Sequence, residues 1–145
     1  MRLPTEAEWE YACRAGTRGR FWFGTDPNFR ELRKYAWFGD NSGEMPHPVG
    51  RKAANPWGLY DILGNAPEWC NDRYDKDYYA KAPLNDPPGP AGGRYAKAHE
   101  QSIFHVMRGG SWEVGANFAR PAARGKAPAK YECAGLRIVM EAPRR

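Results

Sequence analysis

Three cysteines, Cys13, Cys70 and Cys133, are the strongest nucleophiles and soft metal ligands in this 145-residue sequence. They lie too far apart for a CxxC pair, and an odd count is a poor disulfide framework. Cys133 is therefore expected to be a small buried side chain, because free cysteine is among the most buried residue types. The histidines, His47, His99 and His105, show neither HxxxH nor HxH spacing, so motif spacing gives no support to a histidine metal centre. Ser111 stands in Gly-Gly-Ser-Trp without an evident His–Asp partnership, which argues against a nucleophilic role. Asp72, Asp75 and Asp77 form an acidic run with Tyr74, Tyr78 and Tyr79. That run lacks the glycine and terminal glutamate of an EF-hand and reads as a solvated loop. Asn65 and Glu68 sit in the tight stretch Gly-Asn-Ala-Pro-Glu-Trp. By themselves they read as a turn asparagine and a glutamate bonding backbone amides. Arg120, Arg124 and Arg137 carry planar guanidinium forks suited to carboxylates such as Glu6, Glu8 or Glu68. The other use of these arginines is a floor for an anionic ligand, and structural pairing is favoured.

The elements that must position these groups are few. Residues 4–16 form the one clear helix. Thr5 and Glu8 make a capping box, Trp9, Ala12 and Cys13 recur on one face, Glu10 pairs with Arg14, and Gly16 supplies the left-handed stop. Arg20 to Gly24 reads as a short aromatic strand. Phe104–Arg108 and Gly135–Met140 are further strand candidates. Residues 58–64 fit a strand or a helical turn equally well. Residues 82–93 are a proline- and glycine-rich loop. Short strands, few helices and much irregular loop make an α+β chain.

Aromatics at 14% and hydrophobics at 41% indicate a folded domain rather than a disordered one, and 145 residues suffice for one domain. The net charge is +5, with the basic excess in residues 94–145. No recognisable nucleic-acid module accompanies it, so nucleic-acid binding is not expected. No apolar run reaches membrane-spanning length. Residues 1–10 contain acids and no apolar stretch, so they do not resemble a signal peptide and the cytoplasm is the default location.

Six segments in order resemble the formylglycine-generating enzyme, or sulfatase-modifying factor, family. They are Arg2-Leu-Pro-Thr-Glu-Ala-Glu-Trp-Glu-Tyr-Ala12, Pro46-His-Pro-Val-Gly50, Asn55-Pro-Trp-Gly-Leu-Tyr-Asp61, Gly64-Asn-Ala-Pro-Glu-Trp69, Arg108-Gly-Gly-Ser-Trp112 and Gly135-Leu-Arg137. The resemblance implies a variant of the C-type lectin fold. It also implies roughly a hundred further residues before the first helix, within ordinary domain size. Residues 1–145 are then expected to be an N-terminally truncated domain, completed by a missing N-terminal segment or a partner chain.

Members of that family oxidise a substrate cysteine with copper held by a cysteine pair after the Gly-Gly-Ser segment, and soft thiolates suit Cu(I). No cysteine lies between Cys70 and Cys133 here, so copper-cysteine oxidation is not expected. Other relatives use iron held largely by histidines of a separate domain, and iron is likewise unsupported. The resemblance implies a structural calcium at Asn65 and Glu68, although Pro67 stands where the family usually has a bulky residue. It also points to a binding surface between Trp112 and Arg124, a region that some relatives diversify. Its candidate contacts are Trp112, Val114, Asn117, Phe118, Arg120 and Arg124. The expected function is a binding or scaffold module for an unidentified ligand or protein. The alternative is a metal- and dioxygen-dependent oxidoreductase, oxidising protein cysteine or forming sulfoxides, that works only within a longer chain or complex.

Overall fold

The computed structural model describes residues 1–90 and 104–140. His99, part of the 82–93 loop and the C-terminal arginines lie outside these. Among the described residues there is one α-helix, α1 (Glu6–Arg14), and one antiparallel sheet in the order β1 (Glu68–Arg73), β2 (Phe104–Arg108), β3 (Gly125–Pro128). The rest is turns, loops and single 3₁₀ turns, so the chain is α+β as expected. No described helix is long and apolar enough to cross a membrane.

Helix α1 starts where its capping chemistry places it. The Thr5 hydroxyl accepts from the Glu8 amide at 3.2 Å, and the Glu8 carboxylate accepts from the Thr5 amide at 2.8 Å. Glu8 is also gripped by both terminal nitrogens of Arg2 at 2.6 Å, and the Arg2 bond is the main reason its carboxyl sits below its ordinary pKa. Glu10 and Arg14 pair at 2.8 Å, as the spacing predicts. The helix ends earlier than the glycine suggested. Ala15 already takes the left-handed conformation, with φ 48°, and its amide bonds the Tyr11 carbonyl. Trp9 and Cys13 face inward and are fully buried, joining Phe21, Leu32, Phe38, Ile62 and Val106 in the core.

Two strand expectations change. Arg20–Gly24 is a tight turn in which Phe21 and Gly24 bond each other's backbone. Its aromatics reach the core by stacking instead: Phe21 on Phe23 at 4.8 Å and Phe23 on Tyr35 at 4.6 Å between ring centroids. Gly135–Met140 is extended but makes only isolated bridges, Gly135 to Glu68 and Val139 to Arg2. Phe104–Arg108 is a strand as expected. Strand β1 escaped sequence reading because its buried row is Glu68, Cys70 and Asp72, two of them carboxylates. A period-two signal needs apolar residues at the inward positions.

Candidate functional site

The inward carboxylates of α1 and β1 are answered by arginines from the C-terminal third. Arg108 at the end of β2 is fully buried and donates to Glu6 at 2.8 Å, to Glu10 at 2.6 Å and to the Pro121 carbonyl. Arg124 grips Glu6 through Nε and Nη2, both at 2.7 Å. Its remaining nitrogen bonds the Asp75 carbonyl at 3.0 Å, and its plane lies against Tyr74 and Tyr79. Arg137 grips Glu68 at 2.6 Å through two nitrogens, and the Trp9 indole donates to the same carboxylate at 2.6 Å. The pairings expected for Arg124 and Arg137 are thus present. Arg120 departs from that pattern: its Nε bonds the Asn117 carbonyl at 2.8 Å. Glu8 takes Arg2 rather than any of the three.

Asp72 stands beside this network. Its Oδ2 accepts the Glu6 amide at 2.7 Å, supplying an acceptor to the first turn of α1. The loop at Gly89 closes over the other oxygen so tightly that a Cβ there would meet it at 2.4 Å. Burial therefore dominates and pushes the Asp72 carboxyl from 3.8 up to about 6. An unfolded chain releases this proton near its ordinary pKa, whereas the folded chain holds it to about pH 6. The folded state thus binds the extra proton between pH 4 and 6. Stability from this group falls as pH rises through that window and is level above it. Denaturation midpoints of the native chain, measured against Asp72→Asn from pH 4 to 7, should show the native chain losing ground with rising pH. The opposite slope contradicts the assignment.

Above the network lies a mostly apolar groove of about 330 Å³ between β3, the end of β2 and the turn after Ser111. Of the six contacts inferred from sequence, Val114, Phe118 and Arg124 line it, while Trp112, Asn117 and Arg120 do not. Trp112 is a tether rather than a wall. Its amide donates to the Asn65 carbonyl at 2.8 Å and its carbonyl accepts from the Ser42 hydroxyl at 2.7 Å. Asn117 accepts from Arg20 at 3.2 Å. Sequence reading missed Met107, Glu113, Lys126 and Tyr131, which also line the groove. They come from β2, β3 and a turn whose convergence no local spacing reports. Partial burial, then the charge of the neighbouring Glu113 carboxylate, raises the Tyr131 hydroxyl above its ordinary pKa. Glu113 and Tyr131 are polar groups at a largely apolar wall.

Asn65 is a backbone clamp. In the left-handed conformation, φ 60°, its side chain accepts the His47 amide at 2.8 Å and donates to the His47 carbonyl at 2.9 Å. Its own amide bonds the Trp37 carbonyl at 2.7 Å. The His47 ring bonds the Ser42 carbonyl at 2.7 Å and stacks on Trp37 at 3.7 Å, a structural position. His105 lies on β2 against Trp69, and burial, then Arg73, lowers its pKa.

Both side chains expected at a calcium are engaged by the protein itself. The Asn65 oxygen is already an acceptor for His47, and Glu68 already accepts three N–H bonds out of about four lone-pair positions. Asn65 keeps one further oxygen lone pair and Glu68 about one, so these two side chains by themselves supply few of the 6–8 oxygens that calcium takes. Cys13 and Cys70 are buried in the core, where burial pushes both thiols well above their ordinary pKa, away from the thiolate that Cu(I) needs. Cys133 corrects its expectation, for it is exposed. A thiol-reactive dye on the native chain should label one cysteine quickly, mapped to Cys133, and the other two only after denaturation. Fast labelling of all three contradicts the core placement.

A sequence profile described as the sulfatase-modifying factor enzyme 1-like domain matches residues 1–142. The chain belongs to this family. It is 40% identical to the formylglycine-generating enzyme of Streptomyces coelicolor over 122 residues, which cover 77% of this chain and 36% of that enzyme. It is 37% identical to the serine/threonine-protein kinase pkn1 of Chlamydia caviae, covering 77% of this chain and 16% of the kinase. The solved structure of Treponema denticola variable protein 1 superposes with a TM-score of 0.71 at 41% identity, covering 87% of this chain and 41% of that one. The chain therefore spans well under half the length of these relatives. The fold is the family's C-type-lectin-like variant, with the helix and small sheet holding a surface of turns.

Proposed function

We propose that this domain is a binding module of the sulfatase-modifying factor family, and that the groove between β3 and the Ser111–Phe118 turn is its binding surface. The observation that carries this reading is the groove's composition. Apolar walls from Met107, Val114 and Phe118 surround a few polar groups, among them Glu113, Arg124, Lys126 and Tyr131, and no cysteine or histidine is among the described residues lining it. That is the make-up of a ligand site that orients by a small number of polar contacts, and it offers no thiolate pair for copper. The resemblance to a protein named as a kinase, over 16% of its length, supports a module that serves within different proteins. Fold alone does not carry chemistry from one member to another.

The test is a direct assay for the family's oxidation chemistry. The 145-residue chain, supplied with Cu(I) and a cysteine-containing peptide, is followed with a dioxygen electrode and by mass spectrometry of the peptide. Dioxygen uptake at the protein-free rate and an unchanged peptide mass are expected. Conversion of the peptide cysteine to an aldehyde, with uptake proportional to protein, overturns the reading in favour of an oxidoreductase.

A further inference from the structure

We propose, on the reading of this groove as the binding surface, that its ligand is a primary ammonium on an apolar stem, held by the Glu113 carboxylate. The charges that line the groove lead there. They belong to Arg108, Glu113, Arg124 and Lys126. Arg108 is committed to Glu6 and Glu10, and Arg124 grips Glu6 through two nitrogens. Lys126 holds its Nζ 4.7 Å from the Phe104 ring centre and 5.3 Å from that of Tyr74. Neither ring lines the groove, so the Lys126 charge is held outside it. Glu113 is left. It is exposed, and it pairs with no cation among the described residues. An anionic ligand would meet this carboxylate with no uncommitted cation in the groove to answer it.

The groups around the carboxylate suit the same ligand. Burial and then the Glu113 charge raise the Tyr131 hydroxyl, so carboxylate and phenol share one wall. Phe118 lines the groove and is 60% exposed, and an aromatic face attracts a cation placed over it. Ser111 also lines the groove and is only 4% exposed. Its hydroxyl has no hydrogen-bond partner among the described residues. A buried hydroxyl without a partner is an acceptor waiting for a donor. An ammonium has several N–H groups to share between a carboxylate and a hydroxyl. Met107 and Val114 supply apolar wall for the stem. Apolar lining with a few convergent polar groups is what fixes a small ligand in one orientation.

Such a group comes either as a free alkylamine or as a lysine side chain of a polypeptide, and the test separates the two. The 145-residue chain is titrated with pentylammonium, pentanol, pentanoate and Nα-acetyl-lysine N-methylamide. Binding is followed by methyl NMR at Met107 and Val114. Pentylammonium is expected to bind at least about tenfold more tightly than pentanol, the scale of a hydrogen bond to a charged group. Glu113→Gln is expected to bring the two to equal affinity. Tighter binding of the lysine derivative than of pentylammonium assigns a polypeptide lysine, and the reverse order assigns a free amine; either order upholds the proposal. Equal affinity for pentylammonium and pentanol in the native chain, or tighter binding of pentanoate, overturns the ammonium and leaves the groove as a binding surface. No methyl shift with any of the four probes overturns both readings.

Discussion

Replacing Arg108 with alanine is expected to lower the stability of the domain by about 3–5 kcal/mol. Its side chain is fully buried and ties α1 to the sheet through Glu6 and Glu10 and to the following loop through Pro121. It also lies 5.0 Å over the Trp9 ring. Removing it leaves a carboxylate that is itself 1% exposed with Arg124 as its one remaining cation among the described residues, and opens a void against Trp9. The loss is large against the total stability of a small domain, on the order of 5–15 kcal/mol. The control is Lys34→Ala. Lys34 pairs with Glu31 at 2.8 Å with both side chains at least half exposed, and such a surface pair contributes little to stability. Urea denaturation of both variants checks the contrast. A loss for Arg108→Ala no greater than for Lys34→Ala contradicts the role assigned to the buried network.

The Gly64→Ala substitution is expected to be at least as damaging, at above about 3 kcal/mol or failure to fold. Gly64 sits at φ 71°, and a Cβ there would meet the Trp37 carbonyl oxygen at 2.2 Å and its carbon at 2.9 Å. Both neighbours are backbone, so no rotamer change relieves the clash. The Gly64 amide donates to the Gly109 carbonyl at 2.7 Å, and the next amide, of Asn65, donates to Trp37. Any shift therefore pulls apart the junction of the 37, 64 and 109 turns beneath the groove. Gly58 separates conformation from crowding. It has φ 80° but nothing within 4 Å of the added atom, so Gly58→Ala should cost only the left-handed penalty of about 1–2 kcal/mol. Similar midpoints for the two variants would show that the close approach at Gly64 is unimportant.

How far these features were legible before the structure depended on how local they are. The capping box, the Glu10–Arg14 pair and the inward Trp9 and Cys13 are set within α1 and were read correctly. The same helix hid the burial of Glu6, although its pairing with an arginine was expected. Acid in a first turn is explained by the helix dipole alone, and only Arg108 and Arg124, more than a hundred residues later, show that it is a buried hub. Strand β3, Gly-Lys-Ala-Pro, carries no strand signal and exists because Phe104–Arg108 offers it an edge. The region from Trp112 to Arg124 was placed at the groove by resemblance, yet the side-chain directions of Trp112, Asn117 and Arg120 depend on turns that spacing does not report. Cys133 was misjudged because average burial of cysteine says nothing about a residue in an exposed turn.

The proposed binding groove is lined, among the described residues, by no cysteine that could hold copper. The most direct measurement is a Cu(I) competition titration of the 145-residue chain against a coloured Cu(I) chelator. Copper is expected to stay with the chelator, apart from the weak transfer an exposed Cys133 allows, which Cys133→Ser removes. One equivalent of copper held tightly by the protein, and retained in Cys133→Ser, would contradict it.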